Sequence, residues 1–145
     1  MVVPSAVIRP FEVTLPFVVK TYDIDFSGVV SNTVYVRWLE DLRLELLQTY
    51  FPLEKQLEKG FAPVLLQTRI DYKKPVKLFD KPIGRLWMHA LGKIKWTVAA
   101  EITAGGNIVT AAEQTGIFVS TSRWRPIPIP KEFAEKYQEF LKHQS

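Results

Sequence analysis

Asp23 and Asp25 stand one residue apart at the end of an apolar run, in the stretch "YDIDFSGVVSNTVYVRWLEDLR" at residues 22–43. Gly28 follows, and a long amphipathic segment begins soon after. Carboxylates in that position can do chemistry. The first N–H groups of a helix lack internal acceptors and carry a partial positive charge. A carbonyl oxygen held there is polarised, and an oxyanion is stabilised more strongly still. A glycine before the helix lets a substrate approach the backbone, because no Cβ blocks it. A carboxylate folded back over the same spot can attack the carbonyl or deprotonate a water that does. That chemistry is acyl transfer to water, and it needs neither histidine nor metal. His89 and His143 are isolated, and no metal-ligand spacing is present. Aspartates before helices also serve as caps that complement the helix dipole, and the pattern alone leaves both roles open for Asp25. Asp23 is the weaker candidate, expected to aim away from the carbonyl.

The composition bounds the setting. The chain has 145 residues, the size of one domain, read as a single unit over 1–145. With 47% hydrophobic and 12% aromatic residues it can bury a real core, which excludes a disordered class. No apolar run reaches the ~18 residues of a membrane span. The N-terminal "MVVPSAVIRPFEV" carries Pro4 and Pro10 and no basic region before an apolar core, so it does not read as a signal peptide. Cysteine is absent from the sequence, so disulfides and thiolate chemistry are excluded and the cytoplasm is the expected compartment. Lys and Arg outnumber Asp and Glu by 19 to 15, a balance that suits a small anionic ligand or ordinary solubility and falls short of a nucleic-acid-binding stripe.

The elements that must position the aspartates can be read in order. "FEVTLPFVVKTYDI" (11–24) predicts a strand, with Pro16 placing it at an edge or a bulge. In residues 32–51, Tyr35, Trp38, Leu39, Leu42, Leu46 and Leu47 recur at helical spacing. Asn32 is the expected N-cap, and Pro52 ends the helix. "LEKQLEKG" (53–60) predicts a short second helix stopped by Gly60. Strands follow at 62–74, 83–94, 95–104 and 107–121, the last two joined by a hairpin at Gly105-Gly106-Asn107. "RWRPIPIP" must be extended, and "KEFAEKYQEFLKH" (131–143) predicts a short C-terminal helix. The fold class is therefore α+β: one strand, one long helix, then four strands as a meander. The five-stranded antiparallel sheet needs a cover, and only the long helix is large enough to supply it. A lone sheet also leaves an edge, so pairing of chains through a sheet edge or the helix side is expected.

These residues carry a family resemblance. Asp23, Asp25, Ser27, Gly28, Val29-Val30, Ser31-Asn32, Tyr35, and Glu40 with Arg43 resemble the active-site segment of hotdog-fold acyl-CoA thioesterases of the 4-hydroxybenzoyl-CoA thioesterase type. "DYKKPVKLFDKP", with Tyr72, Pro75 and Asp80, is similar to a further segment of that family, and "RWRPIPIP" to its closing segment. The resemblance implies a hotdog fold, in which the sheet wraps a central helix, and thioester hydrolysis without a cofactor. It places the catalytic carboxylate on Asp25 and the carbonyl-polarising backbone N–H on Asn32, close to Gly28. Asn32 departs from the His or Tyr often found there, which leaves a backbone role intact. Relatives that use an acidic residue on the long helix make Glu40 a secondary candidate, while Glu40 and Arg43 at i, i+3 can also form a structural pair. Coenzyme A would bring phosphates, for which Lys73, Lys74, Lys93, Lys95, Arg123 and Arg125 are candidate partners. The implied assembly is a homodimer or homotetramer, with no nucleic acid and no membrane involved. An aromatic or medium-chain acyl group fits the resemblance, on coenzyme A or on a carrier protein. A histidine-dependent hydratase and a non-catalytic acyl-CoA binder are the competing readings. Trp38 and Trp87 are expected to fill core.

Overall fold

The computed structural model describes residues 9–143. The N-terminal octapeptide, on which the reading of a missing leader partly rests, lies outside them. Strand β1 (Val13–Pro16) is followed by a single 3₁₀ turn (Thr21–Asp23), helix α1 (Asn32–Tyr50), helix α2 (Leu53–Glu58) and strand β2 (Phe61–Tyr72). Then come β3 (Ile83–Leu91), β4 (Lys95–Ala104), β5 (Asn107–Ser120), the two-residue β6 (Pro126–Ile127) and α3 (Lys131–Lys142). The main sheet is antiparallel with the order β1-β3-β4-β5-β2, and β6 pairs with β5. The long helix and wrapping sheet form the hotdog arrangement. Among the described residues, no helix is long and apolar enough to cross a membrane.

Two expectations need correction. The segment 11–24 is not one strand. β1 keeps only four residues, with Pro16 at the sheet edge, and the chain then turns through Thr21–Asp23. Nor do the later strands form a simple meander. β3, β4 and β5 do, but β2 lies at the far edge against β5. Residues 73–82 therefore cross from one side of the sheet to the other. On the way the Val76 carbonyl accepts the Val30 N–H at 2.8 Å, and Val76 itself is fully buried. The crossover is thus tied to the residues that lead into α1.

The helical stripe of α1 buries Val34, Tyr35, Trp38, Leu39, Leu42 and Leu46. They face Leu86 and Met88 of β3, Trp96, Val98 and Ile102 of β4, and Phe118 of β5, all core members. Fully burying one such side chain is worth about 1.5–3 kcal/mol, so this interface contributes substantially to the stability of the domain. Trp38 stacks on Phe17 with ring centroids 4.9 Å apart, as expected of a core residue. Trp87 behaves differently. It is half-buried, and the Arg9 guanidinium lies 3.9 Å over its ring. At Gly116 a side chain has no room, because a Cβ there would collide with the Trp96 indole and the Val64 carbonyl. The missing Cβ lets Trp96 lie across β5 and donate from Nε1 to the Ile117 carbonyl at 3.1 Å. Helix α3 closes one end of the core, with Phe133 stacked on Phe51 at 3.5 Å.

Candidate active site

The loop before α1 is built by hydrogen bonds that its own sequence supplies. Ile24 bridges Val30, the Asp25 N–H donates to the Val29 carbonyl at 2.9 Å, and the Gly28 N–H donates to the Asp25 carbonyl at 3.0 Å. This tight reversal needs a left-handed residue, and Gly28 supplies it at φ +83°. No heavy atom comes within 4 Å of where a Gly28 Cβ would stand, so that face of the backbone is open.

The two aspartates take opposite roles in this loop, and strand alternation is not the cause: residues two apart share a face of a strand, whereas here Asp23 is buried at the end of the 3₁₀ turn and Asp25 lies beyond it. Asp23 is 2% exposed. Its Oδ2 accepts the Lys20 N–H at 2.9 Å, its Oδ1 accepts Arg37 of α1 at 2.8 Å, and its carbonyl accepts the Ser31 N–H at 2.8 Å. One residue thus ties the incoming chain to the helix by side chain and backbone together. No motif singles out Arg37, although its place one turn beyond Thr33 on the helix faces it back toward the loop. Asp25 is partly exposed. Its Oδ1 accepts both the Ser27 hydroxyl at 2.7 Å and the Ser27 N–H at 2.9 Å. Those bonds, the hydroxyl first, hold the Asp25 carboxyl below the usual carboxylate range, with a smaller contribution from the Val29 backbone. Among the described residues no donor takes Oδ2, which leaves one oxygen of an ionised carboxylate for chemistry.

The helix that follows starts uncapped. The N-cap position belongs to Ser31, one residue earlier than expected, and Asn32 is the first helical residue. The shift follows from Asp23, whose carbonyl fixes the chain at Ser31. Ser31 makes no side-chain cap, since its hydroxyl pairs with the Thr33 hydroxyl at 3.1 Å, and the first turn holds no acidic residue. The N–H groups at the start of α1, that of Asn32 included, keep their positive end potential. The Tyr72 hydroxyl donates to the Asn32 carbonyl at 3.1 Å, which seats the end of β2 beside this helix start.

The other candidates fall into separate places. Glu40 is exposed on α1, and among the described residues it makes no ion pair with Arg43. Arg43 turns inward and donates instead to Gln114 Oε1, because the helix packs it over β5. Lys73 and Lys74 follow β2 at the α1 N-terminal end, where their N–H groups donate to the Val109 carbonyl. Lys93, Lys95, Arg123 and Arg125 sit at the other end of the sheet, since Lys95 pairs with Ile117 and the Ser120 N–H donates to the Arg125 carbonyl. Tyr72 pairs with Thr110, so the two groups are separated by about 23 Å of strand. Of these six candidates, only Lys73 and Lys74 lie at the loop's end of the sheet. Asp80 serves its own turn, accepting the Lys77 N–H at 2.9 Å. Among the described residues no group of three His, Asp or Glu side chains gathers as a metal site would.

A family model described as the thioesterase-like superfamily matches residues 19–137. The chain is 24% identical over 132 residues to the chloroplastic acyl-acyl carrier protein thioesterase ATL3 of Arabidopsis thaliana, covering 86% of this chain and 66% of that one. A crystal structure of an Aquifex aeolicus protein superposes with a TM-score of 0.78 at 27% identity, over 86% of this chain and 98% of that one. The DHNA-CoA thioesterase of Staphylococcus aureus superposes with a TM-score of 0.79 at 18% identity, over 92% and 91%. At that identity the likeness speaks for the fold.

The Asp23–Arg37 tether yields a prediction. Arg37→Met removes a charge-assisted bond to a buried carboxylate that still holds the Lys20 N–H. The loss should be about 1 kcal/mol, at the low end for such a bond because Arg37 is more than half exposed. Urea denaturation reads it. An unchanged midpoint would mean that backbone bonds alone fix the loop.

Proposed function

The chain belongs to the thioesterase-like superfamily and is a thioester hydrolase, and from that premise we propose that it hydrolyses an acyl-CoA with an aromatic or medium-chain acyl group, using Asp25. One observation carries the reading: an ionised, partly exposed carboxylate with one free oxygen stands in the loop that opens onto an uncapped helix N-terminus. In this reading the thioester carbonyl meets the first-turn N–H groups of α1, with Asn32 foremost, and reaches them over the open face of Gly28. Asp25 Oδ2 then attacks the carbonyl carbon, or takes a proton from the water that does. The C–S bond breaks as the tetrahedral oxyanion collapses, and the coenzyme A thiolate takes up a proton; where Asp25 itself attacked, a water then opens the mixed anhydride to release the free acid and restore the carboxylate. Of the candidate basic residues, Lys73 and Lys74 are those at this end of the chain that could meet phosphates. The name of the Arabidopsis relative favours a second reading, in which a carrier protein brings the acyl group. Glu40, on the middle of α1, is the rival base. The cytoplasm is the compartment proposed, in keeping with a sequence without cysteine.

We further propose a homodimer, or a tetramer built from it. β2 is an edge strand of 12 residues, and the neighbouring flank of α1 exposes Val36 and Leu44 by nearly half. An edge that long invites another strand. Light scattering at micromolar concentration should give at least twice the chain mass, and a monomer mass would overturn the assembly.

Asp25→Asn keeps the shape and removes the charge. It should lower kcat by at least ~10²-fold with little change in KM, because the group acts mainly in the transition state. Asp23→Asn should cost less activity, and Glu40→Gln should retain turnover. A near wild-type rate for Asp25→Asn, or an equal collapse for Glu40→Gln with the fold intact, would move the role elsewhere.

The pH profile offers an independent check on Asp25. The Ser27 hydroxyl is the largest cause of its lowered pKa. Ser27→Ala removes that donor and leaves the backbone one, so the pKa should rise part of the way back. Activity needs the carboxylate form, so the acid limb of kcat/KM should move to higher pH. A limb that stays put, or moves lower, would mean that another group sets it.

A further inference from the structure

Between the second half of α1 and the sheet lies a cavity of about 180 Å³, walled by Leu65, Met88, Trp96, Val98 and Phe118 among others. An apolar cavity of ~150 Å³ is enough to hold a benzene molecule, so this one accepts part of a ligand. Its lining is apolar except at two places, Glu40 and Arg43. Glu40 is the exposed one. Arg43 is half-buried, and its guanidinium is held: Arg43 Nη1 donates to Gln114 Oε1, while Gln114 Nε2 donates to the Thr68 hydroxyl at 3.0 Å. Gln114 is 1% exposed, so its amide has no water with which to exchange these bonds. A guanidinium can only donate, which fixes the oxygen end of the amide toward the arginine.

This is an unusual setting for a cation. A guanidinium carries five N–H donors and cannot shed its charge at physiological pH. Gln114 takes one donor and is neutral. Among the described residues no carboxylate lies within ion-pair distance of Arg43. Glu40 acts on it only from farther off, and burial still outweighs that help in lowering the Arg43 pKa. A desolvated charge with a neutral partner is costly, and a carboxylate presented bidentately is its strongest complement. A keto or hydroxyl oxygen would satisfy a donor and leave the charge uncompensated.

We propose that Arg43, held by Gln114, is the recognition point for a carboxylate on the far end of the acyl group, so that the preferred substrates are monothioesters of dicarboxylic acids. The inference rests on the thioesterase reading, with the acyl group entering between α1 and the sheet. Thr68 and Gln114 act as positioning residues: Gln114 holds the arginine, Thr68 holds Gln114, and neither touches the substrate.

The test pairs succinyl-, glutaryl-, adipyl- and suberyl-CoA with alkanoyl-CoA thioesters of equal chain length. Wild type should prefer the dicarboxylic member in at least one pair, by at least ~10-fold in kcat/KM, the scale of a charged hydrogen bond. Arg43→Gln should reduce that preference by a similar factor, and Arg43→Lys should retain part of it. Gln114→Glu places an anion against the guanidinium and should erase the preference even if Arg43→Gln folds poorly. Calorimetric binding of free adipate and suberate gives a readout without turnover. Dicarboxylate binding that is lost in Gln114→Glu upholds the inference even if no thioester is cleaved, in which case the catalytic reading fails alone. Hydrolysis that favours the alkanoyl member of every pair, or a preference unchanged in both Arg43→Gln and Gln114→Glu, overturns the role of Arg43 and leaves the hydrolase reading standing.

Discussion

A carboxylate that is almost wholly removed from water has to be paired, and the pairing of Asp23 organises this end of the molecule. Lys20 N–H and Arg37 satisfy its side chain, while its carbonyl captures Ser31. The captured Ser31 N–H decides where α1 begins. The fixed entry decides how the loop from Ile24 to Val30 must reverse, and the reversal decides that Gly28 takes a positive φ. Asp25 faces outward because it stands in that reversal, beyond the 3₁₀ turn that buries Asp23. The catalytic geometry proposed for this chain is thus a by-product of a structural ion pair. The tether lies on the chain side of the helix, and the first turn is left without a side-chain cap.

The same economy of polar groups runs through the interior. The concave face of the sheet is apolar where α1 presses on it, and Gly116 removes a Cβ so that Trp96 can seal the floor. Against this background Gln114 is conspicuous as a fully buried amide. Its two ends are used, one by Thr68 and one by Arg43, which joins β2, β5 and α1 through a chain of directional bonds. Hydrophobic packing of α1 fixes its distance from the sheet but leaves its rotation soft. A directional network of this kind restricts the rotation, because turning the helix breaks bonds that water cannot replace.

Local periodicity made much of this legible. The α1 stripe, the Gly105-Gly106 turn at φ +58° and +81°, the Pro52 stop and the closing helix all follow from patterns confined to a few neighbouring residues. What escaped was decided at a distance. Nothing in "APVLLQTRIDYKK" says that it pairs with β5 rather than with the next strand in sequence. The helix start was displaced from the Asn32 cap by a carbonyl nine residues before it. Arg43 had a suitable acid three residues away on its own helix and chose an amide on β5, because packing turned it inward. The candidate basic residues look alike in sequence, yet the strand register places them at opposite ends of the sheet. The inward turn of Asp23 was not legible from alternation, which would give residues 23 and 25 the same face; it depends on the 3₁₀ turn and on Arg37 fourteen residues away.

The buried amide at position 114 is one base change away from an acid. Glutamine and glutamate codons differ by a single base at the first position. A mutation of that kind would turn the neutral neighbour of Arg43 into a permanent internal counter-ion without changing side-chain volume. Lineages that carry the acid would own a self-neutralised cavity, and those that keep the amide would own a charged one. One base change at a single buried position therefore separates a self-neutralised cavity from a charged one.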